Sequence, residues 1–202
     1  MIPVNLATED ELSEAVLRRL LRHARRGYSV GNAYGRGGFG YLRKTIIGWN
    51  RAARGVPFIV LTDLDNCVCP PALIEQWLPA TPKHPNLLFR IAVREVESWL
   101  LADSANLSEY LHINAKRMPE NPDQIADPKK TLVDLARLSR SADVRGRIVP
   151  KSRSTATQGP DYNACLCAFV AGQWDIDLAR ANSASLDRAV RRLAIFAPIW
   201  ER

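Results

Sequence analysis

The sequence predicts an α/β fold: a three-layer core with a central, mostly parallel sheet, followed by a helical C-terminal extension. Two observations support this fold class. Strand-like segments alternate with helical segments over roughly the first hundred residues, which is the order expected of α/β proteins. Segments 57–63 (PFIVLTD) and 86–93 (NLLFRIAV) are also almost continuously apolar, as strands of a parallel sheet are when both faces are buried.

The N-terminal half contains four predicted strands, and helices lie between and after them. The strands are 2–7, 28–34, 57–63 and 86–93. The helices are 9–25, 41–54, 71–78 and one that starts within 95–103, and a glycine-rich loop occupies 35–40. The first helix is amphipathic, because its apolar residues recur at helical spacing, at Leu12, Val16, Leu20 and Leu21.

The pattern changes after about residue 104. A proline-rich segment, 117–130, leads into predicted helices at 129–140, 161–172 and 185–196, and a short strand at 146–150 is expected to return to the sheet. We therefore predict an α/β core at 1–105 and a mainly helical part at 106–202. The two parts are expected to pack as one structural domain.

Positive charge is concentrated along the chain. The net charge is +7, and segment 15–54 holds ten Lys or Arg residues and no acidic residue. A second acid-free stretch, 144–160, holds four more. A basic surface suits a polyanionic partner, although a solvated basic face without a partner is the simpler alternative. The residues expected to hold a nucleic-acid backbone are Arg18, Arg22, Arg36, Arg43, Lys44 and Arg153.

Several classes of protein are excluded by the sequence. No apolar run approaches the roughly 20 residues of a membrane span, and the N-terminus lacks the pattern of a secretory signal. We therefore predict a soluble, cytoplasmic protein. The cysteines form two C-x-C pairs, Cys67/Cys69 and Cys165/Cys167, whose spacing is unlike that of zinc sites. Free thiols in a reducing compartment are expected.

Acidic residues follow three of the predicted strands. Asp63 and Asp65 follow strand 57–63, Glu9 follows the first strand, and Glu95 and Glu97 follow strand 86–93. Ligands of open α/β sheets bind at the carboxyl ends of strands, so these acids are expected to converge. Converging carboxylates repel one another, and a divalent cation such as Mg²⁺, or Mn²⁺, would compensate. The sequence therefore predicts a metal site there.

Each acid also has a structural alternative. Thr8 and Glu11 could form a capping box, with the neighbouring acids favouring the first turn of a helix. The Asp pair could end a turn, and the Glu pair could begin a helix. Only their predicted convergence favours a shared function.

Three other activities fit part of the sequence. GRGGFG at 35–40 matches the dinucleotide pattern G-x-G-x-x-G, with Asp63 as the ribose-binding acid. However, the loop does not follow the first strand, and Asp63 lies 28 residues beyond Gly35. Asp63 and Asp65 could instead be the nucleophile and general acid of a haloacid-dehalogenase-type phosphatase, but that strand normally comes first. A sugar-nucleotide transferase also uses D-x-D.

The acid after the first strand, the glycine-bearing middle and D-x-D after a later strand together resemble the Toprim domain. That domain is the metal-binding module of topoisomerases, primases and OLD-family nucleases. The stretches GRGGFGYLRK, IVLTDLDNC, FRIAVREVESWLLAD and GPDYNACLCAFV are also similar to an uncharacterised bacterial family of Toprim-like proteins. The resemblance implies a Toprim or Rossmann-like core.

The resemblance assigns roles to individual residues. Glu9 takes the place of the Toprim glutamate, although Asp10 stands where glycine is usual. Asp10, Glu14 or an acid lost at Asn5 are alternatives for that role. Asp63 and Asp65 match the two aspartates. Relatives of OLD type add an acid and a basic residue, for which the candidates are Glu97 (or Glu95) and Lys151.

We expect a Mg²⁺-dependent nuclease that cleaves phosphodiesters and favours DNA over RNA. Glu9, Asp63, Asp65 and Glu97 would bind metal, and Lys151 or Arg153 would stabilise charge on the phosphate. Contacts to the backbone predict little sequence preference and strong salt dependence. The resemblance also implies a separate ATPase partner in genome or phage defence. The alternative is a non-catalytic nucleic-acid-binding or regulatory subunit.

Overall fold

A computed structural model describes residues 1–35 and 37–200. In this part of the chain, four strands form one parallel sheet in the order β2-β1-β3-β4. The strands are β1 (Ile2–Thr8), β2 (Tyr28–Tyr34), β3 (Phe58–Asp63) and β4 (Leu87–Ala92). The predicted α/β fold with a parallel central sheet is confirmed. Because every pair is parallel, the carboxyl ends of all four strands lie at one edge.

Helices cover both faces of this sheet. Helices α2 (Gly38–Ala52) and α3 (Pro70–Trp77) cover one face, where Phe58, Val60 and Phe89 meet Leu42, Ile46 and Trp77. Helices α1 (Glu11–His23) and α4 (Val96–Leu101) cover the other face together with the C-terminal helices. Strand β3 has six buried residues in a row, because both of its faces are covered. Its continuous apolar sequence follows from this position.

The rest of the described chain is mainly helical. It comprises α5 (Ser104–Tyr110), 3₁₀ turns at Ala115–Arg117 and Pro122–Gln124, α6 (Pro128–Arg137), α7 (Ala142–Ile148), α8 (Tyr162–Gly172), α9 (Ile176–Asn182) and α10 (Ala184–Ile195). The larger core cluster contains Leu6 and Leu61 of the sheet as well as Leu166 and Phe169 of α8. One hydrophobic core therefore extends across the predicted boundary at residue 105.

The predicted strand at 146–150 is wrong, because most of this segment is the end of α7. The hydroxyl of Ser141 accepts a hydrogen bond from the amide of Val144 at 3.3 Å and caps the helix. Ile148 is fully buried in the last turn. Its apolar character therefore reflects the packing of a short helix. Among the helices described, none is both long and apolar enough to cross a membrane.

Candidate functional site

The candidate site lies where β1, β3 and β4 end side by side. Glu9 is the first residue after β1, Asp63 is the last residue of β3, and a short connection joins β4 to α4. The order β1-β3-β4 makes these three ends neighbours. The acids after the three strands are therefore carried by adjacent elements.

Glu9 joins the end of β1 to the end of β3. Its Oε1 accepts a hydrogen bond from the backbone amide of Asp63 at 2.9 Å and another from the hydroxyl of Thr62. It is not used to cap α1, because Asp10 is the N-cap and accepts from the amide of Ser13 at 2.8 Å. The capping box that the sequence suggested for Thr8 and Glu11 is therefore wrong.

Asp63 is held in a similar way by the next element. Its side chain is buried, and its Oδ1 accepts a hydrogen bond from the backbone amide of Val96 at 2.9 Å. Val96 is the first residue of α4, so this bond fixes the start of the helix against the end of β3. Asp63 and Glu9 are thus both oriented by backbone donors.

Glu97 lies deeper than the other acids. It is 1% exposed, and its Oε2 is a buried oxygen without a hydrogen-bond partner among the residues described. Its Oε1 accepts from the hydroxyl of Tyr162 at 3.1 Å and lies 3.5 Å from Nζ of Lys129. A carboxylate with one unsatisfied oxygen in the core carries a substantial desolvation cost.

Lys129 and Tyr162 are site residues that sequence reasoning missed. Lys129 lies in the first turn of α6, where its backbone amide also donates to Oε2 of Glu95 at 2.9 Å. Pro128 indicates in the sequence that a helix begins at this point. Nothing local in the sequence indicates that this turn meets α4, since Lys129 is 32 residues beyond Glu97.

Asp65 is the exposed member of the group. Its backbone has φ +48°, in the left-handed region that is uncommon for residues other than glycine. Its carbonyl accepts from the guanidinium of Arg94 at 2.9 Å, and Arg94 also reaches the carbonyl of Cys67 at 3.3 Å. The D-x-D turn is therefore tied to the segment after β4.

The acids interact electrostatically. Burial, and then the charges of Glu97 and Glu9, raise the pKa of Asp63 well above its usual range. Burial likewise raises the pKa of Glu97 to about 7, although Lys129 acts in the opposite direction. Burial alone would lower the pKa of Lys129, but Glu97 and Glu95 raise it overall. The site therefore disfavours full ionisation of its carboxylates and favours a positive charge.

Gly35 and Gly38 of the predicted glycine loop lie beside the same strand end. The amide of Gly38 donates to the carbonyl of Glu9 at 3.1 Å, and a Cβ on Gly35 would lie 3.3 Å from the hydroxyl oxygen of Thr8. The loop ends sooner than expected, because α2 begins at Gly38. It follows β2, which is an edge strand, whereas the dinucleotide pattern normally follows the first strand of its unit.

The predicted basic residues are mostly exposed and separate from the acids. Arg22, Arg43 and Lys44 are exposed on α1 and α2, whereas Arg18 pairs with Glu14 at 2.8 Å. Arg36 lies outside the described residues. Lys151 and Arg153 are exposed in the loop after α7. The described contacts do not connect Lys151 or Arg153 to the acids of the candidate site, whereas Lys129 contacts Glu97.

A ready-made metal site is not seen within residues 1–35 and 37–200: no three His, Cys, Asp or Glu side chains are arranged to hold one ion. The four cysteines are free thiols. Comparisons with known protein families, with curated proteins and with solved structures each find no match. The chemistry of the site must therefore be inferred from its own residues.

Proposed function

We propose that this protein is a divalent-metal-dependent nuclease of Toprim type, which hydrolyses phosphodiester bonds in nucleic acid and favours DNA over RNA. One observation carries the proposal. Glu9 from β1 is hydrogen-bonded to the backbone of Asp63 at the end of β3, next to the buried Glu97 that follows β4. Acids from three strand ends thus act on one another at the edge where α/β folds bind ligands.

The residues present suit a hard divalent cation. Carboxylate oxygens are the ligands that Mg²⁺ and Mn²⁺ prefer, and the buried Oε2 of Glu97 lacks a partner within the described chain. Glu9, Asp63, Asp65 and Glu97 would hold the ion. Their side chains would have to rotate, since they do not form a ligand set as they stand. A bound ion would polarise the phosphoryl oxygen and activate water.

The protein's own groups contribute positioning and charge. The backbone amides of Asp63 and Val96 each donate to one oxygen of a carboxylate, so Glu9 and Asp63 are held at the strand ends where the ion would bind. Lys129 partly offsets the negative charge behind them. Asp65 is the most accessible acid, and Glu9 is placed to take part in proton transfer.

The basic surface would hold the substrate backbone. Arg22, Arg43 and Lys44 are exposed, and Gly35 and Gly38 lie close to the end of β1. Lys151 and Arg153 are proposed for phosphate contacts from the loop after α7. Such contacts recognise charge, so low sequence preference and a steep dependence on salt are expected.

A phosphatase is less well supported. A nucleophilic Asp63 would need an accessible carboxylate, but this side chain is buried and its Oδ1 accepts from Val96. A non-catalytic subunit is favoured by one observation, the absence of a ready ligand set in the described residues. In that role the protein would bind nucleic acid and assemble with a separate ATPase.

A cleavage assay tests the proposal. Supercoiled plasmid, single-stranded DNA and RNA are incubated with the protein and Mg²⁺ or Mn²⁺. Asp63→Asn and Asp65→Asn are expected to reduce cleavage by at least about a hundredfold, because each removes a carboxylate that would hold the metal ion. Asp134→Asn, in an exposed ion pair on α6, is the matched control and should cleave normally.

Two results would contradict the nuclease. One is equal cleavage by wild type and by Asp63→Asn, which would point to a contaminating enzyme. The other is the absence of cleavage with either metal and every substrate. If the protein still binds DNA in that case, the non-catalytic subunit is favoured.

A further inference from the structure

Arg90 occupies a position in β4 where an apolar residue is expected. Strand residues alternate between the two faces of a sheet, and Arg90 lies between Leu88 and Ala92, which belong to the larger core cluster. Its neighbour Phe89 belongs to the core on the opposite face. Arg90 therefore points to the side of the sheet that α10 covers, and it is only partly exposed. Arginine is rarely placed this way without a partner.

Three more cations lie around Arg90. Arg188 and Arg192 are one turn apart on α10, and Lys83 precedes β4. Burial and the charges of Arg192 and Arg188 lower the pKa of Arg90, and burial, Arg90 and Arg192 lower the pKa of Lys83. The described ion pairs include none of these four residues.

The described hydrogen bonds of Arg90 and Lys83 are made to backbone carbonyls. Nε of Arg90 donates to the carbonyl of Phe89 at 2.8 Å, and Nζ of Lys83 donates to the carbonyl of Leu87 at 3.1 Å. A guanidinium carries five N–H donors, and in the described part of the chain only Nε of Arg90 has a hydrogen-bond partner. By contrast, Arg191 on the same helix is paired with Asp187 at 2.7 Å.

A cavity of about 390 Å³ opens beside Arg90, at the outer edge of β4 between α3 and α10. Arg90 and Arg188 form its charged side, and Pro70, Pro71 and Ile74 form an apolar side. Its volume is in the range of small-molecule sites, roughly 300–1,000 Å³, and is too small for a folded partner. The pocket leaves no recognisable pattern in the sequence, because Arg90 lies within an otherwise apolar strand.

We propose that this cavity is a binding pocket for a nucleoside polyphosphate, with Arg90 and Arg188 in its lining and Lys83 and Arg192 as further cations close to Arg90. Guanidinium groups bind phosphate through paired hydrogen bonds, and four positive charges suit several phosphate charges better than one carboxylate. The apolar side formed by Pro70, Pro71 and Ile74 would contact the sugar and base. The proposal does not depend on the nuclease, since none of these residues belongs to the acidic site.

Calorimetric titration in EDTA and low salt tests the pocket. EDTA removes divalent ions, so the acidic site cannot contribute to binding through a metal. ATP, ADP, AMP and inorganic tripolyphosphate are titrated into wild type, Arg90→Gln and Arg188→Gln. ATP is expected to bind, and each substitution should weaken it by about tenfold or more, because each removes charged hydrogen bonds. Arg191→Gln removes the same charge from the same helix and should stay within about twofold.

The outcomes separate the possible ligands. No binding of any of these compounds at millimolar concentration, or equal loss in Arg191→Gln, would overturn the pocket. Tripolyphosphate binding as tightly as ATP would overturn the nucleoside part. A single-stranded oligonucleotide that outcompetes ATP and is sensitive to Arg90→Gln would identify a polymer site instead. If Arg90→Gln does not fold, the exposed Arg188→Gln carries the test.

Discussion

The carboxylate cluster and the cationic pocket (Lys83, Arg90, Arg188, Arg192) both hold like charges close together, but the fold supports them differently. In the acidic site, backbone amides donate to Glu9 and Asp63. In the cationic pocket, side chains donate to the backbone carbonyls of Phe89 and Leu87. The acids are largely buried, and Lys129 is the cation that the described contacts place against Glu97. The pocket is open, and both charged residues of its lining, Arg90 and Arg188, are positive.

This difference shows how like charges can be retained in a fold. Each cluster costs free energy while its charges are unpaired, because desolvation and repulsion both oppose ionisation. Carboxylic acids can relieve this cost by taking up protons near neutral pH, as the pKa of about 7 for Glu97 indicates. Arginine cannot give up its proton in this range, so the cationic pocket can be relieved only by salt or by an anion.

The largest expected effect of a single substitution on stability comes from removing Lys129, the cation that contacts Glu97 in the acidic site. Lys129→Met should lower the free energy of unfolding by about 2 kcal/mol at pH 8, because it leaves Glu97 buried without its partner, and partial exposure of Lys129 moderates the loss. The loss should be smaller at pH 6, where Glu97 takes up a proton. Urea denaturation followed by circular dichroism measures both values.

Lys130→Met is the control for this experiment. Lys130 is the next residue and forms an exposed pair with Asp134, so its loss should cost no more than about 0.5 kcal/mol. Equal effects of the two substitutions would mean that Lys129 does not compensate the buried acids.

Ligand-induced stabilisation should distinguish the two regions. A ligand at 100 times its dissociation constant adds about 2.7 kcal/mol to the free energy of unfolding. Mg²⁺ should raise the melting temperature of wild type and of Arg188→Gln, but not of Asp63→Asn. ATP in EDTA should raise the melting temperature of wild type and of Asp63→Asn, but not of Arg188→Gln. If a single substitution removed both effects, the two regions would not be independent.

The stability of the metal-free protein should fall as the pH rises from about 5 to 8. The pKa of Glu97 is raised on folding, so its contribution is complete below the ordinary pKa of about 4.5 and is lost as the pH passes about 7. Asp63 shifts in the same direction. The change should be on the order of 1–3 kcal/mol, measured by thermal unfolding in EDTA.

Glu97→Gln should flatten this pH profile, because the amide does not titrate. Glu75→Gln, at an exposed position on α3, should leave the profile unchanged. A wild-type protein whose stability is constant or rises over this range would rule out a buried, destabilised carboxylate at position 97.

The two regions also differ in how far the sequence could predict them. The parallel sheet and the convergence of Glu9 and Asp63 could be predicted, because apolar strands ending in acids are local patterns and parallel strands end at one edge. Lys129 could not, since it reaches Glu97 only through the packing of α6 on α4. Arg90 could not be predicted as a pocket residue, because it lies in an apolar strand. The pocket forms only where α10, about a hundred residues later, packs against β4.

The smallest expected effect concerns the free cationic pocket. Arg90→Met should leave the unfolding free energy unchanged or raise it by up to about 1 kcal/mol, because a buried charge facing like charges is replaced by an apolar side chain of similar length. The gain should shrink as NaCl is raised, since salt already screens the repulsion among partly exposed cations. Arg191→Met on α10 breaks a favourable pair with Asp187 and should show no gain. Strong destabilisation by Arg90→Met at every salt concentration would mean that Arg90 contributes to the core packing of β4. The cationic pocket would then not be a cluster of unpaired charges comparable with the carboxylate cluster.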